Sequence, residues 1–140
     1  MGYQLEIITD TSLMEEQNKV VREGIISFNE PFIGSKPKRF SVYAKDKNQI
    51  IGGAIVYAHA TSIYIDVLWV DNHYRGSGIG TDLLNAVEQE ALKRNISEST
   101  LDTFSFQAEE FYLKQGYTHL GTIKDYLEGY DRIYLRKKLR

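Results

Sequence analysis

The 140-residue chain has no cysteine, two prolines, two methionines and one tryptophan. Without cysteine there is no disulfide, no thiolate zinc site and no acyl-cysteine intermediate, so a group transfer must use another nucleophile or pass directly from donor to acceptor. A charge excess is also missing: 17 Lys and Arg against 19 Asp and Glu leave a formal net charge of −2, which gives no reason to expect nucleic acid as a partner. The basic run Arg136-Lys137-Lys138 reads as the solvated end of a last strand. No apolar run approaches membrane-spanning length. Residues 1–10 lack a basic segment followed by an apolar one, and Glu6 stands where a myristoylation motif after Met1-Gly2 needs Ser or Thr. The expectation is a cytoplasmic protein with no membrane partner. His59, His73 and His119 lack metal-ligand spacing, and no metal is expected.

What is present fits one globular domain over residues 1–140, with 42% apolar and 26% charged residues and no internal repeat. Residues 3–8 alternate weakly and suggest a first strand. Ser12 precedes an acidic first turn, Glu15 and Glu16, and Leu13, Gln17, Val20, Val21, Gly24 and Ile25 then share one face of a helix expected to break before Pro31. Residues 31–37 read as a loop. Phe40, Val42 and Ala44 alternate with polar neighbours; a turn at 45–48 leads to a second apolar run at 50–57 and a further turn to a third at 63–70. Gly52-Gly53 in the second run suggests a bulge or a close backbone approach.

The period then lengthens: Ile79, Leu83, Leu84, Val87 and Ala91 fall at helical spacing from Gly78 to Arg94. Residues 99–104 form another strand, residues 107–115 a short helix stopped by Gly116, and residues 117–123 and 132–139 two closing strands. The fold class is α+β, a mixed α/β arrangement in the order β-α-βββ-α-β-α-ββ. It implies a central, mostly antiparallel twisted sheet of about seven strands with helices on both faces.

The third apolar run of the meander feeds Val70-Asp71-Asn72-His73-Tyr74 and then Arg75-Gly76-Ser77-Gly78-Ile79-Gly80 at the start of the long helix. Unpaired N–H groups and the helix dipole make such a junction an anion site. Arg75 adds positive charge and Thr81 a hydroxyl. A Walker loop needs Gly-Lys-Ser/Thr, and this loop has no lysine. A dinucleotide fingerprint places its third glycine at 81, where threonine stands, although Asp102 lies about twenty residues on, as that motif asks. It also opens a parallel βαβ unit, whereas this loop follows a meander.

Arg75, Gly78 and Gly80 in Arg-x-x-Gly-x-Gly spacing resemble the acetyl-CoA pyrophosphate loop of the GCN5-related N-acetyltransferase (GNAT) family. So do the Val-Asp-x-x-Tyr-Arg-Gly approach and the segment Phe111-Tyr112-Leu113-Lys114-Gln115-Gly116-Tyr117. The similarity is strong from about residue 40 onward and weak in the first third; residues 102–108 with Asp125-Tyr126 resemble a subgroup of short bacterial members. The resemblance implies an N-acetyltransferase that uses acetyl-CoA as co-substrate and passes the acetyl group directly to a primary amine of a small molecule or peptide. It implies that Arg75, Gly76, Ser77, Gly78, Ile79, Gly80 and Thr81 hold the pyrophosphate. The main chain of Leu68-Trp69-Val70 would bond the pantetheine arm and the acetyl carbonyl. Ser105 or Gln107 would stand where members often carry an asparagine.

Tyr112 matches the tyrosine that in many members protonates the departing thiolate; spacing alone favours an aromatic packed beside Phe111 and Tyr117, and the resemblance brings the two readings level. Asp66 and Asp102 are the candidate bases, although the strand at 63–70 lacks the glutamate members often have there, and Glu30 and Asp125 are further carboxylates on loop segments. The acceptor pocket is expected from the first helix and from residues 28–38 and 123–131, where Glu30, Asp125, Glu128 and Asp131 suit a cationic amine. Family members often dimerise, so a homodimer stands among the partner expectations. Two other classes remain open at this point: an acyl-CoA-binding sensor without catalysis, and a dinucleotide-dependent oxidoreductase.

Overall fold

The computed structural model describes residues 2–12 and 14–140; Met1 and Leu13 lie outside the described residues. The chain divides into two compact units, residues 1–36 and 37–140.

Among its described residues the first unit holds one helix, α1 (Glu15–Ile33). Glu15 and Glu16 occupy its first turn, as expected, but Ser12 does not cap it. Met14 takes the cap position, and the Ser12 N–H and hydroxyl turn back to the Asp10 carboxylate at 2.9 and 2.5 Å. The expected break before Pro31 does not occur. Proline removes one hydrogen bond, here in the last turn, and the helix continues to Ile33 before Gly34, at φ 86°, stops it with an N–H bond to Glu30 O at 2.8 Å. The strand expected at residues 3–8 is not formed. A single short run satisfies none of its own backbone groups, and weak alternation does not specify a ladder partner.

The second unit is built on one sheet of six strands, not the seven expected. They are β1 (Lys38–Asp46), β2 (Gln49–His59), β3 (Ser62–Val70), β4 (Glu98–Phe104), β5 (Thr118–Leu127) and β6 (Tyr130–Lys138), in the spatial order β1-β2-β3-β4-β6-β5. Only β3 and β4 are parallel; every other pair is antiparallel. The parallel step needs a crossover, supplied by α2 (Ile79–Lys93), and α3 (Glu109–Lys114) joins β4 to β5. Both helices pack on one face of the sheet. Leu84, Val87 and Ala91 of α2 and Tyr112 of α3 share a core with Ala54, Val56, Ile63, Ile65, Leu101, Ile133 and Leu135. Among the described residues no helix is long and apolar enough to cross a membrane.

Two details of the sheet prepare the site. Gly52 lies opposite Val70, and a Cβ there would come 2.9 Å from the Trp69 carbonyl oxygen; the close approach expected of the Gly52-Gly53 pair is what the strands use. Further, β3 pairs with β4 only over Ser62–Ile65 against residues 98–101. The β2–β3 register shifts between Ile55 and Val56, leaving Asp66 as the extra residue of a bulge. Bulges raise local twist and bend the strand. From that point β3 and β4 part, and residues 66–70 have no ladder partner on the side facing β4.

Candidate active site

The parting strands open a cleft of about 770 Å³, with residues 68–70 of β3 on one wall and the turn from β4 into α3 on the other. The glycine loop closes one end. Its backbone is held from several directions. The Asp71 N–H bonds Ile51 O at 2.7 Å, and its carboxylate accepts from the His73 N–H at 2.9 Å and approaches His73 Nδ1 at 3.1 Å. Those bonds hold the Asp71 carboxyl below the usual carboxylate range. The Tyr74 hydroxyl donates to Asp46 at the end of β1, and Ser77 Oγ donates to Tyr74 O at 2.5 Å. Ser77 is therefore a brace of the loop and does not line the cleft, whereas Arg75, Gly76, Gly78, Ile79, Gly80 and Thr81 do.

Arg75 Nε donates to Val70 O at 3.0 Å, which fixes the guanidinium beside the cleft. Gly78 is the N-cap of α2 with φ 87°, a left-handed conformation that lets the loop turn into the helix. The intrahelical ladder begins with the Asp82 N–H bonded to Gly78 O at 3.0 Å. The amides of Ile79, Gly80 and Thr81 precede it and have no helical acceptor, so three donors at the positive end of a dipole meet the cleft beside a cation.

The far wall comes from β4 and α3. Gln107 Oε1 accepts from the Phe104 N–H at 2.7 Å and from Thr103 Oγ1 at 3.2 Å, and Thr103 Oγ1 in turn accepts from the Ala108 N–H at 3.3 Å. Gln107 lines the cleft, but its carbonyl is occupied in shaping the turn. Ser105 does not line it: its N–H donates to Asp131 O and its Oγ accepts from the Asp131 N–H, both at 3.0 Å, pinning the end of β4 to the β5–β6 hairpin.

Tyr112 reaches the cleft from α3. Its residue surface is 7% exposed, and its ring meets Phe111 and Tyr117 edge to face at 5.1 and 5.8 Å between centroids. No described residue hydrogen-bonds its hydroxyl, and burial, with a smaller contribution from the Asp102 charge, pushes the phenol up to about 12. Behind it lies a polar network. The Tyr117 hydroxyl contacts Ser99 Oγ at 2.7 Å and donates to Glu88 at 3.1 Å; Lys137 Nζ donates to Glu88 at 2.9 Å and to Gln115 O at 2.8 Å.

Neither candidate base lines the cleft. Asp66 is exposed at the bulge. Asp102 accepts two hydrogen bonds at 3.1 Å from Arg132 Nε and Nη2, which raises the guanidinium pKa further and commits the carboxylate. Tyr74, Phe106, Ala108 and Phe111 line the cleft without having been singled out for it. Phe111 packs beside the loop, where a Cβ on Gly80 would meet its ring at 3.5 Å. Among the described residues no group of His, Asp and Glu could hold a metal ion.

The Acetyltransferase (GNAT) family model matches residues 6–117. The chain is 30% identical over 112 residues to a blasticidin-S acetyltransferase of Streptomyces morookaense, covering 78% of this chain and 82% of that one. A crystal structure of an acetyltransferase from Bacillus cereus superposes with a TM-score of 0.77 at 31% identity, covering 96% and 97% of the two chains. An acetyltransferase structure from Bacillus anthracis in complex with acetyl coenzyme A superposes with a TM-score of 0.65 at 27% identity over 74% of this chain and 64% of that one.

A split sheet with a glycine-loop helix at the split is here the frame of an acyltransferase that takes its acyl group from acetyl-CoA. The chain belongs to the GNAT acetyltransferase family. The residues fit that co-substrate. Arg75 and the free amides of 79–81 suit a pyrophosphate, and the main chain of residues 68–70, which has no ladder partner on the side facing β4, borders the cleft where an amide-bearing arm would lie.

Proposed function

We propose that this chain, as a single domain, transfers the acetyl group directly to a primary amine of a small molecule or peptide within a ternary complex, with Tyr112 assisting departure of sulfur. The observation that carries the reading is the Tyr112 hydroxyl, unpartnered among the described residues on the wall of a cleft that is also lined by Arg75 and the first residues of α2. Acetyl-CoA supplies an activated thioester: the amine nitrogen bonds the acyl carbon, the carbon–sulfur bond breaks, and one proton leaves nitrogen while one arrives on sulfur. With no cysteine in the chain, direct transfer needs no covalent enzyme form.

Arg75, Gly76, Gly78, Ile79, Gly80 and Thr81 hold the phosphates, and Ser77 keeps their loop in shape. The main chain of Leu68, Trp69 and Val70 aligns the arm, and Gln107 shapes the opposite wall. Tyr112 stays neutral and donates a hydrogen bond to the sulfur as charge develops. Its pKa of about 12 exceeds that of an ordinary thiol near 8.5 by roughly 3.5 units, so complete proton transfer to a thiolate would be uphill by about 5 kcal/mol. The phenol therefore acts chiefly as a preorganised donor, and the released thiolate takes its proton from solvent. Asp102 serves through Arg132 as part of the frame. Asp66 does not line the cleft, and the amine gives its ammonium proton to solvent before it attacks the acyl carbon.

Initial rates measured with both substrates varied, using thiol release and an amine panel of polyamines, aminoglycosides, amino acids and peptides, test the reading. Intersecting reciprocal plots are expected. Parallel plots would contradict direct transfer, and acetyl-CoA binding with no turnover on any amine would make the chain a sensor.

A further inference from the structure

One residue of the cleft lining, Phe106, belongs to a cluster of aromatic rings that holding acetyl-CoA does not explain. Phe106 lines the cleft, stacks on Phe104 at 5.6 Å with the planes 2° apart, and meets Tyr130 edge to face at 4.8 Å. Phe104 in turn stacks on Tyr126 at 6.2 Å. Phe106, Tyr126 and Tyr130 remain 57%, 44% and 47% exposed. Single exposed aromatics are ordinary, but rings in mutual contact, one of them lining a reaction cleft, form a binding surface.

The fold holds this surface in place. The register of β5 against β6 is irregular between Ile123 and Leu127, Asp125 has a positive φ of 50°, and the Asp125 N–H bonds the Asp131 carboxylate at 3.1 Å. Ser105 ties the Phe106 turn to Asp131 through both backbone and hydroxyl. Charge points the same way. Arg132 stands over Tyr126 at 5.1 Å, but its Nε and Nη2 are engaged by Asp102 and its Nη1 by the Tyr126 hydroxyl. The hairpin otherwise carries Asp125, Glu128 and Asp131 against Lys124.

Resting on the amine-transfer reading above, we infer that Phe106, Tyr126 and Tyr130 seat the acceptor, and that the acceptor carries its amine on a planar, unsaturated frame recognised first as the ammonium ion. The ring faces take the planar frame, the π-systems and the acidic hairpin favour the cation, and deprotonation precedes transfer.

Steady-state kinetics with 2-phenylethylamine and tyramine against 2-cyclohexylethylamine and hexylamine, at saturating acetyl-CoA, test this. Calorimetric titration of the same amines into protein saturated with coenzyme A provides a readout independent of turnover. The planar amines should bind roughly 3- to 10-fold more tightly. Tyr130→Leu and, separately, Tyr126→Leu should erase that preference while leaving the KM for acetyl-CoA within about twofold. Equal binding of planar and saturated amines, or a preference that survives both substitutions, overturns the inference and leaves amine transfer standing. Turnover of no amine at all overturns both.

Discussion

Tyr112 is a residue whose chemistry follows from its surroundings. Burial raises its pKa from an ordinary 10 to about 12, so the donor form persists across the working range and beyond. Tyr112→Phe should lower kcat roughly 10- to 100-fold, the worth of one hydrogen bond to a charged group, with the dissociation constant of acetyl-CoA nearly unchanged. Its pH–rate profile should keep the wild-type shape. The rising limb belongs to the acceptor amine, and no falling limb assigned to this phenol should be seen below about pH 11. A limb near neutrality that disappears in the variant would refute the assignment. The glycines of the loop separate in the same way. Gly78 sits at φ 87° with nothing near its missing Cβ, whereas a Cβ on Gly80 would make ordinary contact with Phe111. Gly78→Ala should cost about 1 kcal/mol or more in urea unfolding and weaken acetyl-CoA binding. Gly80→Ala should leave unfolding within about 0.5 kcal/mol.

Between elements, the contact that seats α2 against β6 is the Glu88–Lys137 pair, whose side chains are 10% and 26% exposed. Glu88 also accepts from Tyr117, and Lys137 also holds Gln115 O at the end of α3. Removing one partner leaves a poorly solvated charge, so Glu88→Leu or Lys137→Met alone should each cost roughly 2–3 kcal/mol, below the range for fully buried pairs because Lys137 reaches solvent. The double variant should recover much of that loss in a urea cycle; strictly additive losses would show that the two groups are not coupled.

The meander and α2 were legible because their periods, two and then about 3.6, are local properties of the chain. The continuation of α1 through Pro31 was not, since a proline in a last turn and a proline that prevents a helix look alike in sequence. Residues 3–8 alternate too weakly to name a partner. The cleft was half legible. Arg75, Gly78 and Gly80 announce the anion site, but the Arg132–Asp102 bond spans thirty residues and the β3–β4 split depends on one extra residue at Asp66. No local pattern reveals either.

At the scale of the whole molecule, the core that supports the cleft also sets an alkaline limit on stability. Tyr112 and Tyr117 share it with Leu84, Val87, Leu101 and Leu135. Burial raises both phenols; for Tyr117 the Glu88 charge adds to the rise and the Ser99 bond opposes it, and its shift is the larger. Below pH 10 each is neutral whether the chain is folded or unfolded, and their contribution is fully present. As pH rises past 10 the unfolded chain loses these protons while the fold retains them, so the unfolded state gains. Two such groups should make the unfolding free energy fall most steeply near pH 11, by up to about 2.7 kcal/mol per pH unit. Tyr112→Phe and Tyr117→Phe should each reduce that slope by about half, whatever they do to stability at pH 7. Urea unfolding from pH 9 to 11.5 measures it directly. A slope unchanged in both variants would mean that the alkaline loss arises from general charge repulsion, and that the two phenols are better hydrated than their burial implies.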